Sequence, residues 1–553
     1  MSERKAKIIG TIGPSSWSEE ILERLILSGL NVARINMSHG THEVHAQTID
    51  RIRKISKKIG REIAILADLQ GPKIRVSKLK EPLELKAGER WFIGHESSKK
   101  KDKFIPTTYE SIVSDSNGQG RILFDDGLII AETVSKDDGF LEIEILSGGI
   151  LKSNKGINLP DNEISAPSLT QKDEEDLYFA LKQKADYIAL SFVRSKKDIE
   201  KVQYLLHELK VQIPIISKIE KPEAVTNIDE IIDVSDMIMI ARGDMGVEIG
   251  NHLVPSIQKM IIKKCNHLGV PVITATQMLD SMMINPTPTR AEASDVANAI
   301  WDGTDAVMLS GETASGDHPI EALEMMSQIV VEAEKTPGER PLLRHMDLSS
   351  VTAANQVAAS LIAEKTKAKW IISLTEEGRS CLRMTRFRPK KSVLGVTPSL
   401  KALRRMSLYW GITPYFIDLE SKNASDLEQE ILSQLKKEKK LENGDKVVIT
   451  HGDGHLFRNS TSNSIRVDIV QDIKKKTTSE YSFQRGEFSR GKVSLNNDVC
   501  AYCQSCISTC PYNIWELGSE NETVLNSSNL EKCTLDYQCV ENCPTGAIEI
   551  IPK

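Results

Sequence analysis

Short apolar runs and amphipathic stretches alternate regularly through residues 1–335. Runs this short, with few polar positions, are typical of strands buried on both faces of a parallel sheet. Stretches between them, such as DIEKVQYLLHELK and EAVTNIDEIID, have the spacing of amphipathic helices. Eight units of strand then helix predict an α/β fold, a (β/α)8 TIM barrel. The eight runs are AKIIGTIG, NVARINMS, IAILADLQ, DYIALSFV, IPIISKIE, DMIMIARGD, VPVITATQ and DAVMLSGE.

A different pattern interrupts the alternation after the third run. Segments such as RILFDDGLIIAETV and FLEIEILSG alternate apolar and polar residues, as strands of an antiparallel sheet do. We therefore expect residues 72–167 to form an inserted small β-barrel domain, and residues 1–71 and 168–335 to form the (β/α)8 barrel.

Composition narrows the class of protein. Of the 553 residues, 40% are hydrophobic and 27% are charged, and the formal net charge is −6, so nothing indicates a nucleic acid or membrane partner. The first ten residues, MSERKAKIIG, lack the apolar core of a signal peptide. We expect a cytoplasmic protein whose thiols stay reduced, which makes disulfides a poor explanation for its cysteines.

Polar residues follow nearly every predicted barrel strand. One such residue alone would be unremarkable, but barrel enzymes place their chemistry at these carboxyl ends. The set contains a lysine and carboxylates that suit a hard divalent cation such as Mg²⁺. Its members are Asn36, Ser38, Asp68, Lys218, Glu220, Asp244, Thr276 and Ser310.

Several motifs resemble the pyruvate kinase family, in the order in which that family carries them. The resemblance extends over residues 1–470 and implies that residues 336–471 form an α/β domain with effector sites and subunit contacts. It also implies a homotetramer. The motifs are TIGPSS, ARINMSHG, ISKIE, ARGDMGVE, ATQMLDSM, PTRAEASDVANAI, MLSGETASG, TEEGRSCLRMTRFRP and TSNSIRV.

This resemblance implies transfer of a phosphoryl group from phosphoenolpyruvate to ADP, followed by protonation of the enolate to pyruvate. Such a transfer depends on positioning and on charge neutralisation. Glu220 and Asp244 would hold Mg²⁺, while Lys218 and Arg34 would offset charge on the moving group. The amides of Gly243 and Asp244 would bind the substrate carboxylate at a helix N-terminus.

Further roles follow from the same resemblance. Thr276 would lie near the enolate carbon, and Ser310 would belong to a proton relay. His39 and Arg75 would contact the nucleotide and its phosphates. The inserted domain would close as a lid and exclude water from the phosphoryl donor.

One segment, ADLQGPKIR, departs from the commoner family pattern. Many pyruvate kinases require K⁺ and have threonine and glutamate where this chain has Leu69 and Lys73. A lysine carries its positive charge covalently, so we predict an enzyme that does not require K⁺. Asn36, Ser38 and Asp68 would then be the remnant of a monovalent-cation site in which Lys73 replaces the ion.

The loop TEEGRS, Thr375 to Ser380, resembles the sugar-phosphate loop of the family. Glu376 and Glu377 place negative charge there, and like charges disfavour a bound dianion. We therefore predict weak or no activation by fructose 1,6-bisphosphate.

The end of the chain has another character. Residues 472–491 are polar and charged with little periodicity, which predicts a linker. Residues 492–553 hold seven cysteines in two half-repeats, CAYCQSCISTCP and CTLDYQCVENCP, and Asp536 stands where the first half-repeat has Cys503. The first half-repeat has the spacing C-x₂-C-x₂-C-x₃-C-P, so this tail resembles a small α+β bacterial-type two-cluster ferredoxin.

The resemblance to ferredoxins implies two iron–sulfur clusters. Because carboxylate is a harder ligand than thiolate, the second would be a labile [4Fe–4S] or [3Fe–4S] cluster, while the first would remain [4Fe–4S]. In the alternative, Asp536 only caps a turn and the second cluster does not assemble. A zinc site is the rival interpretation, although this spacing fits zinc ribbons badly. The first cluster would take Cys500, Cys503, Cys506 and Cys543, and the second Cys510, Cys533, Asp536 and Cys539.

Two functions compete for the whole chain. In the first, the chain is an active pyruvate kinase whose tail has a structural or redox-regulatory role. In the alternative, it is an electron-transfer protein that docks to a redox partner, and its kinase activity is secondary. The complete set of barrel residues favours the first, because a disabled enzyme would be expected to have lost Lys218, Glu220 or Asp244.

Overall fold

The computed structural model describes residues 4–98, 101–137, 139–336, 348–418, 424–452, 462–470, 483–496, 500, 503–518 and 523–553. The chain forms two compact units, Met1–Val470 and Gln471–Lys553. No helix among the described residues is long and apolar enough to cross a membrane.

Eight parallel strands close into a barrel in the order in which they occur along the chain, and the last strand pairs with the first. Each lies in one of the eight predicted runs, so the predicted (β/α)8 barrel is confirmed. Their residues are buried almost throughout, which explains why the runs carry so few polar positions. The strands are Lys7–Thr11, Val32–Asn36, Ala64–Asp68, Tyr187–Leu190, Ile215–Ile219, Met237–Ala241, Val272–Ala275 and Ala306–Leu309.

Helices surround the barrel and pack apolar faces against its strands. The predicted helix in EAVTNIDEIID is divided at Asn227 into two short helices. Capping boxes fix several helix starts, as at Thr170, which exchanges hydrogen bonds with Asp173. The helices are Glu19–Ser28, His42–Ile59, Gln171–Lys182, Lys196–Glu208, Pro222–Thr226, Ile228–Val234, Arg242–Ile249, Val254–Leu268, Arg290–Asp302, Gly311–Ala314 and Pro319–Lys335, with a 3₁₀ turn at Asp280–Met283.

The inserted domain follows the third barrel strand, as predicted. The chain leaves the barrel at Gly71, where φ is +69° and a Cβ would lie 2.9 Å from the ring of Phe192. The inserted domain contains a six-stranded sheet, and isolated bridges lie at the two edges of this sheet. Arg75 pairs with Gly156 at one edge, and Val76 pairs with Thr107 at the other. The strands are Leu83–Leu85, Arg90–His95, Phe104–Thr107, Arg121–Phe124, Ile129–Asp137, Phe140–Ser147, Gly149–Leu151 and Ile157–Asn158, with a 3₁₀ turn at Glu110–Ile112.

A five-stranded sheet with helices completes the first unit. Four of its strands are parallel and the last is antiparallel. The strands, in the order of the sheet, are Ile412–Phe416, Val393–Thr397, Trp370–Leu374, Lys446–Gly452 and Ser462–Ile469. The helices are Val351–Lys365, Arg379–Thr385, Leu400–Met406 and Ala424–Lys437.

The second unit is a small α+β domain with its own apolar core. A three-stranded sheet is formed by Phe483–Phe488, Gly491–Asn496 and Ile548–Pro552, so the sheet begins inside the segment that the sequence predicts as a linker. Two further strands, Trp515–Leu517 and Thr523–Leu525, pair with each other. The helices are Ser505–Thr509 and Gln538–Glu541, with a 3₁₀ segment at Ser527–Lys532.

Candidate functional sites

The barrel places the candidate catalytic side chains at the carboxyl ends of its strands. Arg34 and Lys218 lie within the second and fifth strands, and Asp68 ends the third. Thr276 and Ser310 each follow a strand by one residue. Because the strands are parallel and closed, these side chains converge on one end of the barrel.

The ammonium of Lys218 lies among oxygen atoms at this end. Its Nζ is 3.0 Å from Oε1 of Glu220 and 3.3 Å from Oδ1 of Asp68, and it donates a hydrogen bond of 2.7 Å to Oγ of Ser191. Burial lowers the pKa of Lys218, but the carboxylates of Asp68 and Glu220 raise it by more than burial lowers it. The pKa of Lys218 is therefore above the ordinary value for lysine. Lys218 is therefore a permanent buried cation.

Asp68 connects the two candidate phosphoryl-binding cations. Its Oδ2 is 2.7 Å from Nε of Arg34, and Nη1 of Arg34 also donates a 2.9 Å hydrogen bond to Oγ1 of Thr11. Burial raises the pKa of Asp68, but Lys218 and Arg34 outweigh that effect and hold the pKa below its usual value. The carboxylate therefore stays charged and fixes both cations.

Glu220 and Asp244 supply oxygen atoms of the kind that Mg²⁺ binds. Glu220 is fully buried, and its Oε2 accepts a 2.7 Å hydrogen bond from the amide of Phe192. Burial raises the pKa of Glu220, and the neighbouring charge of Asp244 raises it as well. Lys218 lowers this pKa, but not enough to cancel the rise. Two carboxylates that repel each other in this way fit a divalent cation, which would relieve the repulsion.

Gly243 and Thr276 meet at the mouth of the barrel. The amide of Gly243, in the helix Arg242–Ile249, donates a 2.6 Å hydrogen bond to Oγ1 of Thr276. Thr276 and Gln277 both have positive φ, 69° and 54°, an unusual conformation for such residues. The guanidinium of Arg242 donates to both of their carbonyl oxygens, at 2.9 and 3.2 Å, and so holds this turn in place.

Ser310 has a hydroxyl group with an unused hydrogen-bonding capacity. Its Oγ is buried and has no hydrogen-bond partner among the described residues. Its amide donates to Oε2 of Glu312 at 2.7 Å, and burial raises the pKa of Glu312. A buried hydroxyl beside a carboxyl group of raised pKa is suitable for holding or passing a proton.

Lys73 lies beside the candidate metal ligand. Its Nζ is 3.6 Å from Oδ1 of Asp244 and 4.0 Å from Oδ1 of Asp126, which belongs to a tight turn of the inserted domain. The side-chain oxygen of Asn36 accepts the amide of Ser38 at 3.2 Å. The lysine thus adds positive charge between the inserted domain and the barrel.

His39 and Arg75 belong to the same positive region. Burial lowers the pKa of His39, and Arg75, Lys73 and Arg34 lower it further, so the imidazole is held neutral among cations. Arg75 donates to the carbonyl oxygen of Asn154 at 3.0 Å. Such a concentration of cations suits a polyphosphate.

The inserted domain contacts the barrel through buried polar groups. Nδ2 of Asn158 donates a 2.7 Å hydrogen bond to Oε1 of Glu248, which is also 2.8 Å from Nζ of Lys221. All three residues are buried, and they line a cavity to which Lys73 also contributes. We call Asn158, Lys221 and Glu248 the lid contact.

The loop Thr375–Ser380 has a turn that the sequence does not reveal. Gly378 has φ of +84°, and its amide donates to Oγ1 of Thr375 at 3.0 Å. Glu377 pairs with Arg379 at 2.6 Å. Because Arg379 offsets the negative charge of Glu377, the predicted repulsion of fructose 1,6-bisphosphate depends mainly on Glu376.

In the second unit, one cavity is lined by all four residues predicted to hold the second cluster, Cys510, Cys533, Asp536 and Cys539. Burial raises the pKa of Cys539, and the thiols of Cys510 and Cys533 add to the rise. The carboxylate of Asp536 accepts hydrogen bonds from the amide of Gln538 and from Thr534, at 3.2 and 3.0 Å. Three cysteines and one aspartate are residue types that suit an iron–sulfur cluster, although no three cysteine, histidine or carboxylate side chains among the described residues are arranged to hold a metal ion.

The thiols predicted for the first cluster affect one another's pKa in pairs. Burial raises the pKa of Cys506 to about 11, and the thiol of Cys500 contributes to the rise. Hydrogen bonds from Ser505 lower the pKa of Cys503, while the thiol of Cys543 acts in the opposite sense. All nine cysteines are free thiols.

Several polar residues of these sites, among them Asn158, Lys221 and Glu312, escaped the sequence analysis. Ser191 follows the fourth strand directly, in the run DYIALSFV, and could have been found by the strand-end rule. Arg242, Asp126 and Glu248 act through contacts between distant segments, for which a single sequence gives no signal.

A closed (β/α)8 barrel with charged side chains at the carboxyl ends of its strands is the architecture of a barrel enzyme. The sequence model "Pyruvate kinase, barrel domain" matches residues 3–323, and "Pyruvate kinase, alpha/beta domain" matches residues 354–467. The chain therefore belongs to the pyruvate kinase family and is an enzyme of that family. A "4Fe-4S binding domain" model matches residues 528–549.

Curated relatives agree with the family models. A pyruvate kinase of Staphylococcus epidermidis is 42% identical over 476 residues, which cover 85% of this chain and 81% of the relative. A pyruvate kinase of Staphylococcus aureus is 42% identical over 475 residues, with the same coverage.

Proposed function

We propose that this chain transfers the phosphoryl group of phosphoenolpyruvate to ADP, giving pyruvate and ATP, as a step of glycolysis. The observation that carries the proposal is the buried cation Lys218, held between Asp68 and Glu220 at the end of the barrel. Such a fixed charge stabilises a moving phosphoryl group without reorganisation.

The residues of the chain have distinct roles in this proposal. Glu220 and Asp244 hold Mg²⁺, which when bound neutralises charge on phosphate oxygens. Lys218 and Arg34, both fixed by Asp68, offset the charge of the phosphoryl group. In this proposal, the backbone amides of Gly243 and Asp244 orient the carboxylate of the substrate.

Protonation of the enolate and closure of the inserted domain complete the proposed reaction. Thr276 borders the enolate carbon, and the unpaired hydroxyl of Ser310 passes a proton with Glu312 behind it. His39 and Arg75 bind nucleotide phosphates. The inserted domain excludes water when it docks on the barrel through the lid contact.

A coupled assay tests the proposal. Purified protein with phosphoenolpyruvate, ADP and Mg²⁺ should form pyruvate and ATP in equal amounts, and chelation of the metal should abolish the reaction. Absence of ATP formation with the metal present would overturn the proposal.

The enzyme does not require K⁺ in this proposal. Lys73 supplies a covalent positive charge 3.6 Å from Asp244, and Leu69 offers no hydroxyl ligand. Activity is compared in KCl and in tetramethylammonium chloride at equal ionic strength. Stimulation by K⁺ of tenfold or more, about 1.4 kcal/mol in the barrier, contradicts the proposal.

The tail carries two iron–sulfur clusters in this proposal, with Asp536 at the labile corner of the second. Mild air oxidation should produce the electron paramagnetic resonance (EPR) signal of an oxidised [3Fe–4S] centre, and Asp536→Cys should abolish it. Iron analysis that finds enough iron for only one cluster, together with the absence of this EPR signal, contradicts the presence of the second cluster. The tail acts structurally or as a redox regulator, and kinase assays under anaerobic conditions with and without dithionite distinguish these roles.

The family also suggests a homotetramer in the cytoplasm. Light scattering of the purified protein measures the subunit number directly. A monomer in solution contradicts the tetramer while leaving the catalytic proposal intact, because every candidate catalytic residue belongs to one chain.

A further inference from the structure

Two segments of chain connect the inserted domain to the barrel, and both lead to the carboxylate of Asp173. The outgoing segment leaves the third barrel strand through Leu69 and Gly71, and the returning segment ends at Thr170, the N-cap of the helix Gln171–Lys182. Asp173 lies in the first turn of this helix and has no exposed surface. One buried carboxylate therefore lies where both segments join the barrel.

Each oxygen of this carboxylate binds one of the two segments. Oδ1 accepts a 3.0 Å hydrogen bond from the amide of Gly71. Oδ2 accepts a 2.9 Å hydrogen bond from the amide of Thr170 and a second hydrogen bond from its hydroxyl. An ionised carboxylate accepts at both oxygens and donates at neither. Asp173 thus joins the two ends of the inserted domain to each other.

The outgoing segment is attached to the barrel in two steps. The amide of Leu69 donates to the carbonyl oxygen of Ala189 in the fourth strand at 3.0 Å, and its carbonyl oxygen accepts a 2.7 Å hydrogen bond from Ser191. Two residues further on, the amide of Gly71 donates to Asp173. The bond to Asp173 therefore fixes the backbone at the point where the chain leaves the barrel.

The returning segment has a further attachment besides Asp173. The guanidinium of Arg194 donates to the carbonyl oxygen of Ala166 at 2.8 Å and to that of Ile164. Loss of the Asp173 carboxylate should therefore release the outgoing segment more than the returning one.

The position of Gly71 also affects the candidate metal ligand Glu220. A Cβ at Gly71 would lie 2.9 Å from the ring of Phe192, so this ring packs directly against the outgoing segment. The amide of Phe192 donates the 2.7 Å hydrogen bond to Oε2 of Glu220. Movement of the segment would therefore displace a direct neighbour of the barrel site.

We propose that Asp173 is a positioning residue, which keeps the inserted domain oriented for docking by fixing both connecting segments at once. The inference rests on the lid role proposed above. Without this carboxylate, the domain would spend less time in the orientation that places Lys73 beside Asp244. A competent state that is only partly populated lowers the apparent affinity by its fraction, whereas saturating substrate restores that state. Loss of Asp173 should therefore raise KM more than it lowers kcat.

The experiment combines steady-state kinetics with hydrogen–deuterium exchange of the full chain. Asp173→Asn preserves the shape of the side chain but has only one acceptor oxygen, so it cannot accept from both segments. KM for phosphoenolpyruvate and ADP should rise about tenfold, while kcat stays within about threefold of the parent. In the absence of substrate, the amide of Gly71 should exchange about tenfold faster than in the parent.

Two control variants separate this role from general stability of the helix. Asp176→Asn alters another buried carboxylate of the same helix, which binds His42 and Lys172 instead of the connecting segments. Thr170→Val removes the capping hydroxyl and leaves both amide bonds to Asp173. Both controls should keep the exchange rate of Gly71 and the KM of the parent.

Several results overturn the proposal. Unchanged KM and unchanged exchange in Asp173→Asn contradict it, as does a fall in kcat at constant KM, which is the result expected from a loss of folded enzyme. Equal changes in Asp176→Asn would assign the effect to the helix as a whole.

The parent protein supplies a test that does not depend on any variant. Its Gly71 amide should be protected from exchange, and exchange at the rate of an unstructured peptide would overturn the role of Asp173. This measurement needs no catalysis. A parent without phosphoryl transfer but with a protected Gly71 would therefore contradict the proposed function and leave the attachment of the two segments by Asp173 standing.

Discussion

At the scale of single residues, the barrel site depends on a few charges whose state is fixed by their neighbours. Lys218 has a raised pKa and Asp68 a lowered one, although burial alone would have the opposite effect on each. The pair therefore stays ionised through the physiological range. A site whose charges do not change with pH is suited to stabilising a transferred phosphoryl group.

The first prediction concerns Lys218. Lys218→Met keeps the length of the side chain and removes its charge, so kcat should fall by about 10²–10³, the range found when one stabilising group is removed. Steady-state kinetics with phosphoenolpyruvate measure the change. Lys197→Met, at an exposed position of an outer helix, is the matched control and should leave kcat unchanged. A fall of less than threefold in Lys218→Met contradicts the assigned role.

The second prediction concerns Lys73. Lys73→Glu removes the positive charge beside Asp244 and adds a negative one. The variant should be nearly inactive in tetramethylammonium chloride and should recover at least tenfold in KCl, more so when it is combined with Leu69→Thr. Lys73→Gln, which is neutral, separates the loss of the lysine from the creation of an anionic ligand. Equal activity of Lys73→Glu in both salts would refute this interpretation.

The candidate residues at the strand ends could be predicted because strand ends are visible in the hydrophobic pattern. Lys218, Glu220 and Thr276 each follow or end an apolar run. Asp126 and Glu248 could not be predicted in the same way, since each meets its partner across more than fifty residues of sequence. Their contacts depend on how the inserted domain sits on the barrel.

At the scale of elements, the inserted domain is connected to the barrel by the backbone at Gly71 and by the lid contact. The chain passes through Gly71, whose positive φ and close approach to Phe192 exclude a side chain. The lid contact joins the other end of the domain to the barrel through Asn158 and Glu248. Closure of the lid should therefore depend on this hydrogen bond.

The third prediction tests the lid contact. Asn158→Ala removes the donor to Glu248, which is a charged acceptor, and such hydrogen bonds contribute about 1.5–3 kcal/mol. The docked state of the lid should be weakened, and kcat/KM should fall on the order of tenfold. Asn117→Ala, at an exposed position of the same domain, is the control. Unchanged kinetics in Asn158→Ala would show that docking does not depend on this contact.

Element boundaries were less predictable than the elements. The pattern EAVTNIDEIID predicts one helix, but the structure divides it at Asn227, a residue that favours turns. The strand Phe483–Phe488 lies in a predicted linker, because charged residues on its exposed face conceal the pattern. Its partner Gly491–Asn496 provides the hydrogen bonds that the local sequence does not reveal.

At the scale of the whole molecule, the barrel and the five-stranded domain of the first unit share a buried lysine. Lys7 lies in the first barrel strand, and its Nζ donates to the carbonyl oxygen of Ile412 at 2.7 Å. Burial lowers the pKa of Lys7 to about 7, and Arg4 and Arg61 add to the effect. Between pH 7 and the ordinary lysine pKa, the unfolded chain therefore binds a proton that the folded chain does not.

The fourth prediction is a pH dependence of stability. Because the unfolded state holds the extra proton, raising the pH above about 7 should stabilise the parent protein relative to Lys7→Met. The difference should grow by up to about 1.4 kcal/mol per pH unit and be constant below pH 6. Urea unfolding from pH 6 to 9 measures it, with Lys197→Met as the control. A difference that is flat with pH contradicts a neutral buried lysine.

The last prediction concerns the division of labour between the two units. Every candidate catalytic residue lies in Met1–Val470, and every candidate cluster ligand lies in Gln471–Lys553. Each unit also has an apolar core of its own. A chain ending at Val470 should therefore contain no iron and keep kcat within about twofold of the full chain, since no group at the barrel site is removed.

If the tail regulates the kinase, dithionite should change the activity of the full chain and not that of the shortened chain. The shortened chain is therefore the control for direct effects of the reductant. Loss of phosphoryl transfer in a shortened chain that remains folded would mean that the tail completes the catalytic unit, against the division that the two separate cores predict.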